Sequence, residues 1–234
     1  KSTKFLINDI DWKYRDFNFK SGFNGKFIGK LKNVNYETKN VTGFKNDPTN
    51  ELFGALGYLS NVNFEKNNNK NSHLLTPKIL FRYAPGNTRN EIGKTRLNYN
   101  NIFSLDRLNT FNNFETGMST TLGFDYDFKN NKNEFNFSGG QVINQKTNKN
   151  MPSSTSLDEK LSDFVGTSNL KINKNVNFSY NFSLDQNYKD LNYNEFGTNL
   201  DFDTTKFNFG YLKEKEHIGN QEYLTSSFEF QKSE

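Results

Sequence analysis

The stretch TTLGFDYDFKNNKNEFNFSGGQVI, Thr120 to Ile143, alternates apolar and polar residues. Leu122, Phe124, Tyr126 and Phe128 hold even positions, and Thr121, Gly123, Asp125 and Asp127 hold odd ones. A helix, turning about 100° per residue, would scatter the four apolar side chains around its axis, whereas a strand lines them on one face. The segment Lys129 to Asn133, KNNKN, supplies turn chemistry, and Phe135 and Phe137 resume the alternation on the return. The pattern predicts a β-hairpin.

The same reading predicts about twelve strands in all: Thr3 to Trp12, Asp16 to Phe23, Lys26 to Thr38, Glu51 to Glu65, Ser72 to Tyr83, Asn113 to Phe128, Glu134 to Ile143, Asp163 to Ile172, Val176 to Gln186, Leu191 to Phe202, Phe207 to Lys213 and Gln221 to Gln231. Val176, Phe178, Tyr180, Phe182 and Leu184 share a face opposite Asn177, Ser179, Asn181, Ser183 and Asp185. The first five strands alternate less cleanly, and Lys26 to Thr38 has room for a bulge. Short turns are predicted at Asn24-Gly25, Lys66 to Asn71, Lys129 to Asn133, Asn173 to Asn175 and Asp203 to Lys206. Long connections fall at Lys39 to Asn50, Ala84 to Asn112 and Asn144 to Ser162. If Ala84 to Asn112 is one excursion, with room for a short strand near Arg96 to Phe103, short turns fall at one end of the sheet and long loops at the other. Outer-membrane barrels have that asymmetry. Periodicity alone does not say whether the Phe face meets lipid or a second sheet, because a soluble sandwich alternates in the same way.

Composition narrows the choice. Apolar residues make up only 32% of the 234, yet there are 25 Phe and 11 Tyr, and Asn is the commonest residue. Aromatics on one face with amides elsewhere suit strands and turns, and leave little for a thick core. No run approaches the roughly 18 consecutive apolar residues of a membrane helix, while barrel strands need only about ten alternating residues. On a barrel, Met118, Leu122, Phe124, Tyr126, Phe128, Phe135, Phe137, Phe178, Tyr180 and Phe182 would face lipid. Asp125, Asp127, Asn177, Asn181, Asp185, Asn199 and Asp201 would line a wet lumen. A one-residue slip would turn Asp125 and Asp127 toward lipid, so the register is strongly specified.

Candidate chemistry is sparse. The chain has no Cys, which removes disulfides, thiolate metal sites and cysteine nucleophiles. The net charge of +4 comes from 30 basic residues interspersed with 26 acidic ones, without the basic stripe of a nucleic-acid binder. His73 and His217 lie in different predicted hairpins, without an acidic cluster at metal spacing and without a Gly-x-Ser-x-Gly elbow for a hydrolase. The run Ser138-Gly139-Gly140 has no Lys-Ser/Thr after it and reads as a bend or close approach within a strand. Pro77 falls inside a predicted strand, as an edge or bulge residue would. Asp158, Glu159 and Lys160 read as a solvated loop face. No catalytic residue, cofactor or metal site is predicted.

Several stretches, in order, resemble the barrel of the lipopolysaccharide-assembly family LptD in its alphaproteobacterial form: LKNVNYET (Leu31 to Thr38), LLTPKILFRYAPG (Leu74 to Gly86), NIFSLDRLNTFNNFETG (Asn101 to Gly117), LSDFVG (Leu161 to Gly166) and NFSYNFSLD (Asn177 to Asp185). The family-motif positions are Pro77, Pro85, Arg107, Phe111, Glu115 and Gly117. Where the family tends to have Asn-Arg-Phe-Ser-Gly-Tyr-Asp-Arg, Asp106 to Asn113 keeps the first Arg and an aromatic but loses the Gly and the Asp-Arg pair, so no ion pair is assigned there. The resemblance implies an all-β antiparallel meander that is part of a large transmembrane β-barrel. Residues 1–234 would be a middle piece, without the periplasmic jelly roll, the first barrel strands and the terminal aromatic of a native barrel end. It also implies transport without bond chemistry: lipopolysaccharide received from a periplasmic LptA-like bridge, released into the outer leaflet, with an LptE-like lipoprotein plugging the barrel. The loop Ala84 to Asn112 would fold over or into the external mouth. The alternatives are the wall of another outer-membrane porin or receptor, a soluble Asn-rich β-sandwich adhesin or lectin, and, more distantly, an outer-membrane hydrolase.

Overall fold

The structure, a computed structural model, describes residues 2–20, 22–42, 44–89, 95–202, 204–215 and 219–231. Its strands are β1 (Ser2–Lys13), β2 (Phe17–Asn18), β3 (Phe23–Lys39), β4 (Thr49–Val62), β5 (Phe64–Asn67), β6 (Asn71–Ala84), β7 (Gly117–Asn130), β8 (Asn133–Asn144), β9 (Phe164–Ile172), β10 (Val176–Leu184), β11 (Leu191–Phe202), β12 (Thr205–Glu214) and β13 (Gln221–Phe230). One turn of 3₁₀ helix, Ser153–Thr155, completes the described elements. All strands belong to one antiparallel sheet of order β1-β3-β4-β6-β7-β8-β9-β10-β11-β12-β13, with β2 and β5 as side pairings and with β1 and β13 at its two ends. The expected all-β meander is the observed fold.

Connections are sorted by end. Residues 68–70, 131–132 and 173–175 turn the chain at one end, where β1 also passes to β3 by way of β2 and β11 passes to β12. At the other end the chain passes from β3 to β4, β6 to β7, β8 to β9, β10 to β11 and β12 to β13. Thus a single excursion joins β6 to β7, which pair directly, and the two longest connections share one end of the sheet.

Register fixes two faces. Thr121 pairs with Val142, Gly123 with Gly140, Asp125 with Ser138 and Asp127 with Asn136, and these residues point to the side on which the two long loops fold back. We call this the docked face and its reverse the open face. Lys32 and Val34 of β3, Ala55 and Gly57 of β4, Leu80 and Arg82 of β6, Val165 of β9 and Tyr193 of β11 share the docked face. Their partners one residue away, among them Leu56, Phe81, Leu122, Phe137 and Phe182, lie on the open face. The core is therefore sheet against loop. Leu97, Ile102 and Leu108 of the first loop and Met151 and Leu157 of the second cluster with Val142 and Val165. Leu105 and Phe114 cluster with Ala55 and Ala84.

Gly123 and Gly140 form the floor under the first loop. A Cβ on Gly123 would stand 2.6 Å from the Gly139 carbonyl oxygen and 2.8 Å from the Phe103 ring, and one on Gly140 would stand 2.9 Å from the Leu122 carbonyl oxygen and 3.4 Å from Ile102. Both positions need the missing side chain for close approach. Gly139, on the open face, leaves room for Phe164 in the same way, with a Cβ placed 2.6 Å from its ring.

Four expectations are corrected. Asn24-Gly25 is strand and not turn: β3 runs through it in unbroken register with β4, and the chain reverses earlier, where Gly22 takes φ 85 and donates to the Phe19 carbonyl at 3.0 Å. Gly25 serves close packing, since its Cβ would collide with the Tyr58 hydroxyl at 2.2 Å. The bulge expected in Lys26 to Thr38 is absent, because both ladders of β3 run without a shift through these residues. No strand forms near Arg96 to Phe103. There the Asn98 side-chain oxygen accepts from the backbone N–H of Asn100 and Asn101 and closes a turn. Asn113 to Thr116 belong to the loop, and β7 begins at Gly117, whose φ of 112 turns the chain into the sheet.

Pro77 is neither at an edge nor at a register shift. It lies mid-strand in β6, paired with Phe124 of β7. On its other side β4 and β5 continue one another in a single register, with Asn61 opposite Lys78 and Phe64 opposite Leu75. The ladder is open only across Val62 and Asn63, where proline has no N–H to donate.

Gly123→Val should push Phe103 off its floor and lower stability by roughly 1–3 kcal/mol. A urea midpoint of the refolded protein equal to that of the parent would contradict the close packing described.

Candidate functional site: a loop docked on the sheet by buried charge

Residues 95–116 cross the docked face held by five buried ionic side chains. Arg107 is fully buried. Its Nε donates to Glu115 Oε2 at 2.8 Å, its Nη2 donates to Glu115 Oε1 and to Ser119 Oγ at 2.8 Å, and its Nη1 donates to Thr121 Oγ1 at 3.3 Å. This is a bidentate fork on a carboxylate, extended to two hydroxyls that β7 places one rung apart on its docked side. Arg82 of β6 approaches the same carboxylate at 3.5 Å. It also donates from Nε to the Leu105 carbonyl at 2.7 Å and from Nη2 to the Glu115 carbonyl. Lys32 of β3 meets Asp106 Oδ2 at 2.9 Å and donates to the carbonyls of Thr110 and Asn113.

Burial and charge act on the two carboxyls in opposite balance. For Glu115, burial alone would raise the pKa, but the Arg107 and Arg82 guanidiniums outweigh it and hold the carboxyl below the usual range. For Asp106, burial prevails over Lys32 and pushes the carboxyl up. Its Oδ1 is buried without a hydrogen-bond donor among the described residues.

Further contacts extend the loop along the sheet. The Tyr99 hydroxyl donates to Asp125 Oδ1, a carboxylate that also pairs with Lys78 and accepts from Ser138 Oγ at 2.8 Å. Arg96 lies 3.7 Å over the Tyr193 ring and pairs with Glu214 of β12. The loop therefore has ionic contacts from β3 to β12. The second loop supports it: Ser154 Oγ donates to the Thr95 carbonyl at 3.1 Å, and the Asn144 side chain donates to the carbonyls of Leu157 and Glu159. Asp158 and Glu159 both face Lys149, at 3.8 Å and 2.6 Å.

The residues singled out from sequence fall as follows. Met118, Leu122, Phe124, Tyr126, Phe128, Phe135, Phe137, Phe178, Tyr180 and Phe182 occupy the open face, where Phe124 packs on Phe137, Phe137 on Phe182 and Tyr126 on Phe135. Asp125, Asp127, Asn177, Asn181, Asn199 and Asp201 occupy the docked face. Asn136 there donates to Asp127, Asn181 donates to Glu195 at 2.9 Å, and Asp201 pairs with Lys206 at 3.5 Å. Asp185 is off that face. A register shift at Ser183/Leu184 ends the ladder, and the Asp185 carboxylate accepts from the backbone N–H of Lys189 at 2.9 Å to close the turn. Arg107 and Glu115 pair with each other, which supplies an ion pair where none was assigned. Pro85 opens the loop directly after β6, Gly117 ends it, and Phe111 is exposed with its ring edge on Phe5. His73 lies on the open face, 2.9 Å from the Tyr126 hydroxyl, and His217 lies outside the described residues. Among the described residues no group of three His, Cys, Asp or Glu is placed to hold a metal ion.

Lys32, Arg82, Arg96, Tyr99 and Glu214 escaped the sequence reading. For Lys32 and Arg82 a signal existed: each is a cation in step with apolar docked-face neighbours, Val34 and Leu80.

Glu115→Gln leaves two buried guanidiniums without their counter-charge, and should destabilise loop docking by about 3–5 kcal/mol, read as faster proteolysis within 95–116. The pH dependence follows from the two shifts. Glu115, depressed in the folded state, stabilises docking above its unfolded pKa of about 4.3 and loses that contribution as pH falls through its lower folded value. Asp106, raised when folded, favours docking at low pH and loses that contribution as pH rises through its folded value. Protection factors in 95–116, with the intrinsic pH dependence of exchange divided out, should therefore fall below about pH 4 as Glu115 is protonated, and protection unchanged through that range would contradict the assignment.

Comparison with known proteins agrees with this architecture. No curated protein matches the chain. Residues 9–232 match the family model LptD, described as LPS transport system D, and the chain belongs to that family.

Proposed function

We propose that residues 1–234 form a wall segment of an outer-membrane barrel that delivers lipopolysaccharide to the outer leaflet, with residues 95–116 folded into the barrel as a brace. The family's role is lipopolysaccharide transport and assembly at the outer membrane, a function of passage and not of bond chemistry. The observation that carries the finer reading is the division between faces. On the open face Leu52, Leu56 and Phe228 are 69%, 57% and 61% exposed, while the docked face holds the buried ion pairs, the amides and both long loops. Apolar exposure on that scale marks a surface that meets lipid or protein. A sandwich would cover it with a second sheet, but every described strand belongs to one sheet.

On this reading Met118, Leu122, Phe124, Phe178 and Phe182 hold the wall in hydrocarbon. Asn177, Asn181, Asn199 and Asp201, beyond the reach of the docked loop, line water and offer amide and carboxylate contacts to an LptE-like lipoprotein. An LptA-like periplasmic bridge supplies the lipopolysaccharide, on the side of the short turns, and the long loops lie outside the cell.

The test places one charge on each face of β10. Tyr180→Arg should cost about 2–4 kcal/mol of membrane stability and cut the amount of assembled barrel, whereas Ser179→Arg should be tolerated. Equal assembly of both variants, or recovery of the parent in soluble form without detergent, would overturn the membrane reading.

A further inference from the structure

On the open face the register aligns two transverse rows. Trp12 pairs with Gly29, Gly29 with Leu56, Leu56 with Tyr83 and Tyr83 with Met118. One rung away, Phe27 pairs with Tyr58, Tyr58 with Phe81 and Phe81 with Thr120. Between the rows runs an apolar trough of about 360 Å³. Gly29 keeps one end low, since the Trp12 indole lies where its Cβ would be, 2.0 Å away. At the other end Met118 is one residue from the last rung of β6 and β7, Ala84 with Gly117, and its carbonyl accepts from the backbone N–H of Gln145 at 2.9 Å.

That hydrogen bond joins the trough to a second cavity. A pocket of about 370 Å³ opens at the rim, between the starts of the two long loops, and Tyr83 and Met118 line both cavities. Its lining changes chemistry. Asn87, Gln145 and Asn150 present amides, Thr147 presents a hydroxyl and Lys146 adds one amine, while Thr116 and Asn148 are hydrogen-bonded to Thr88. The Glu115 carboxylate at its edge is committed to Arg107 and Arg82. Both volumes lie within the usual range for small-molecule sites, about 300–1,000 Å³.

We infer that the trough and rim pocket form one site for an amphipathic glycolipid, its acyl chain lying in the trough and its sugar hydroxyls in the pocket. The argument rests on the membrane reading above, which puts the trough in hydrocarbon and the rim at the headgroup level. A lining of amides with a single cation suits hydroxyl-rich sugar, since amides both donate to and accept from hydroxyls. Phosphate recognition draws instead on clustered Arg or Lys. The site holds lipid against the outside of the wall, at β6 and β7.

The test uses the full chain expressed in a Gram-negative host, with a benzophenone amino acid replacing Thr120 in the trough or Phe209 on β12. Illumination of outer-membrane vesicles should capture lipopolysaccharide from position 120 in preference to 209, and in preference to phospholipid. Asn87→Leu/Asn150→Leu, two exposed changes at the pocket, should reduce that capture by about tenfold, as the loss of two hydrogen bonds implies. Substituted protein that reaches the outer membrane but gives equal capture at both positions, equal capture of phospholipid, or capture unaffected by the double change overturns the site. Protein that does not fractionate with the outer membrane overturns the membrane reading beneath it.

Discussion

Two guanidiniums share one buried carboxylate, and the docked half of the molecule is organised around that contact. Glu115 faces Arg107 from its own loop and Arg82 from β6, and Lys32 with Asp106 repeats the arrangement toward β3. Three cations against two carboxylates leave an excess of positive charge, which the structure meets with loop carbonyls: those of Leu105 and Glu115 accept from Arg82, and those of Thr110 and Asn113 from Lys32. The loop backbone, which would otherwise carry unsatisfied acceptors into a buried place, is thereby the complement of the sheet's cations. Removing Glu115 leaves two buried guanidiniums without their counter-charge, and removing Asp106 does the same to Lys32.

The docked loop in turn explains where sequence and structure part. Strands β7 to β12 were legible because their docked side carries largely small or polar residues opposite a largely apolar open side, and period-two alternation records it from Leu122 through Phe209. β3 was not, because its docked face passes under the loop and mixes Ile28, Lys32, Val34 and Tyr36 according to what lies above each. The loop core, Leu97, Ile102, Leu105, Leu108 and Phe114, keeps no sustained helical or strand period, since its residues divide between two patches of the sheet, one at Val142 and Val165 and one at Ala55 and Ala84. The resemblance marked Arg107 and Glu115 as positions of interest without marking them as partners. Lys32 and Asp106 are 74 residues apart and Arg82 and Glu115 are 33 apart, so no local window contains either pair. Asn24-Gly25 misled because an Asn-Gly pair satisfies a close approach to Tyr58 as readily as a turn.

The docked face is divided along its length. Toward β3 to β9 at the loop end it is dry, packed on Leu105, Phe114, Ile102 and Leu108. Toward β10 to β13 it carries ladders of polar pairs, Asn181 with Glu195, Asn208 with Ser227 and Asp201 with Lys206, and the described loops lay no apolar cluster over them. Arg96 bridges the two regions through Tyr193 and Glu214. A filled lumen would need apolar or small side chains on these later strands. Amides and paired charges are stable there only with water or a polar partner against them, so the docked side of β10 to β13 calls for a polar surrounding beside the braced region, which the proposed wall around a polar passage would supply.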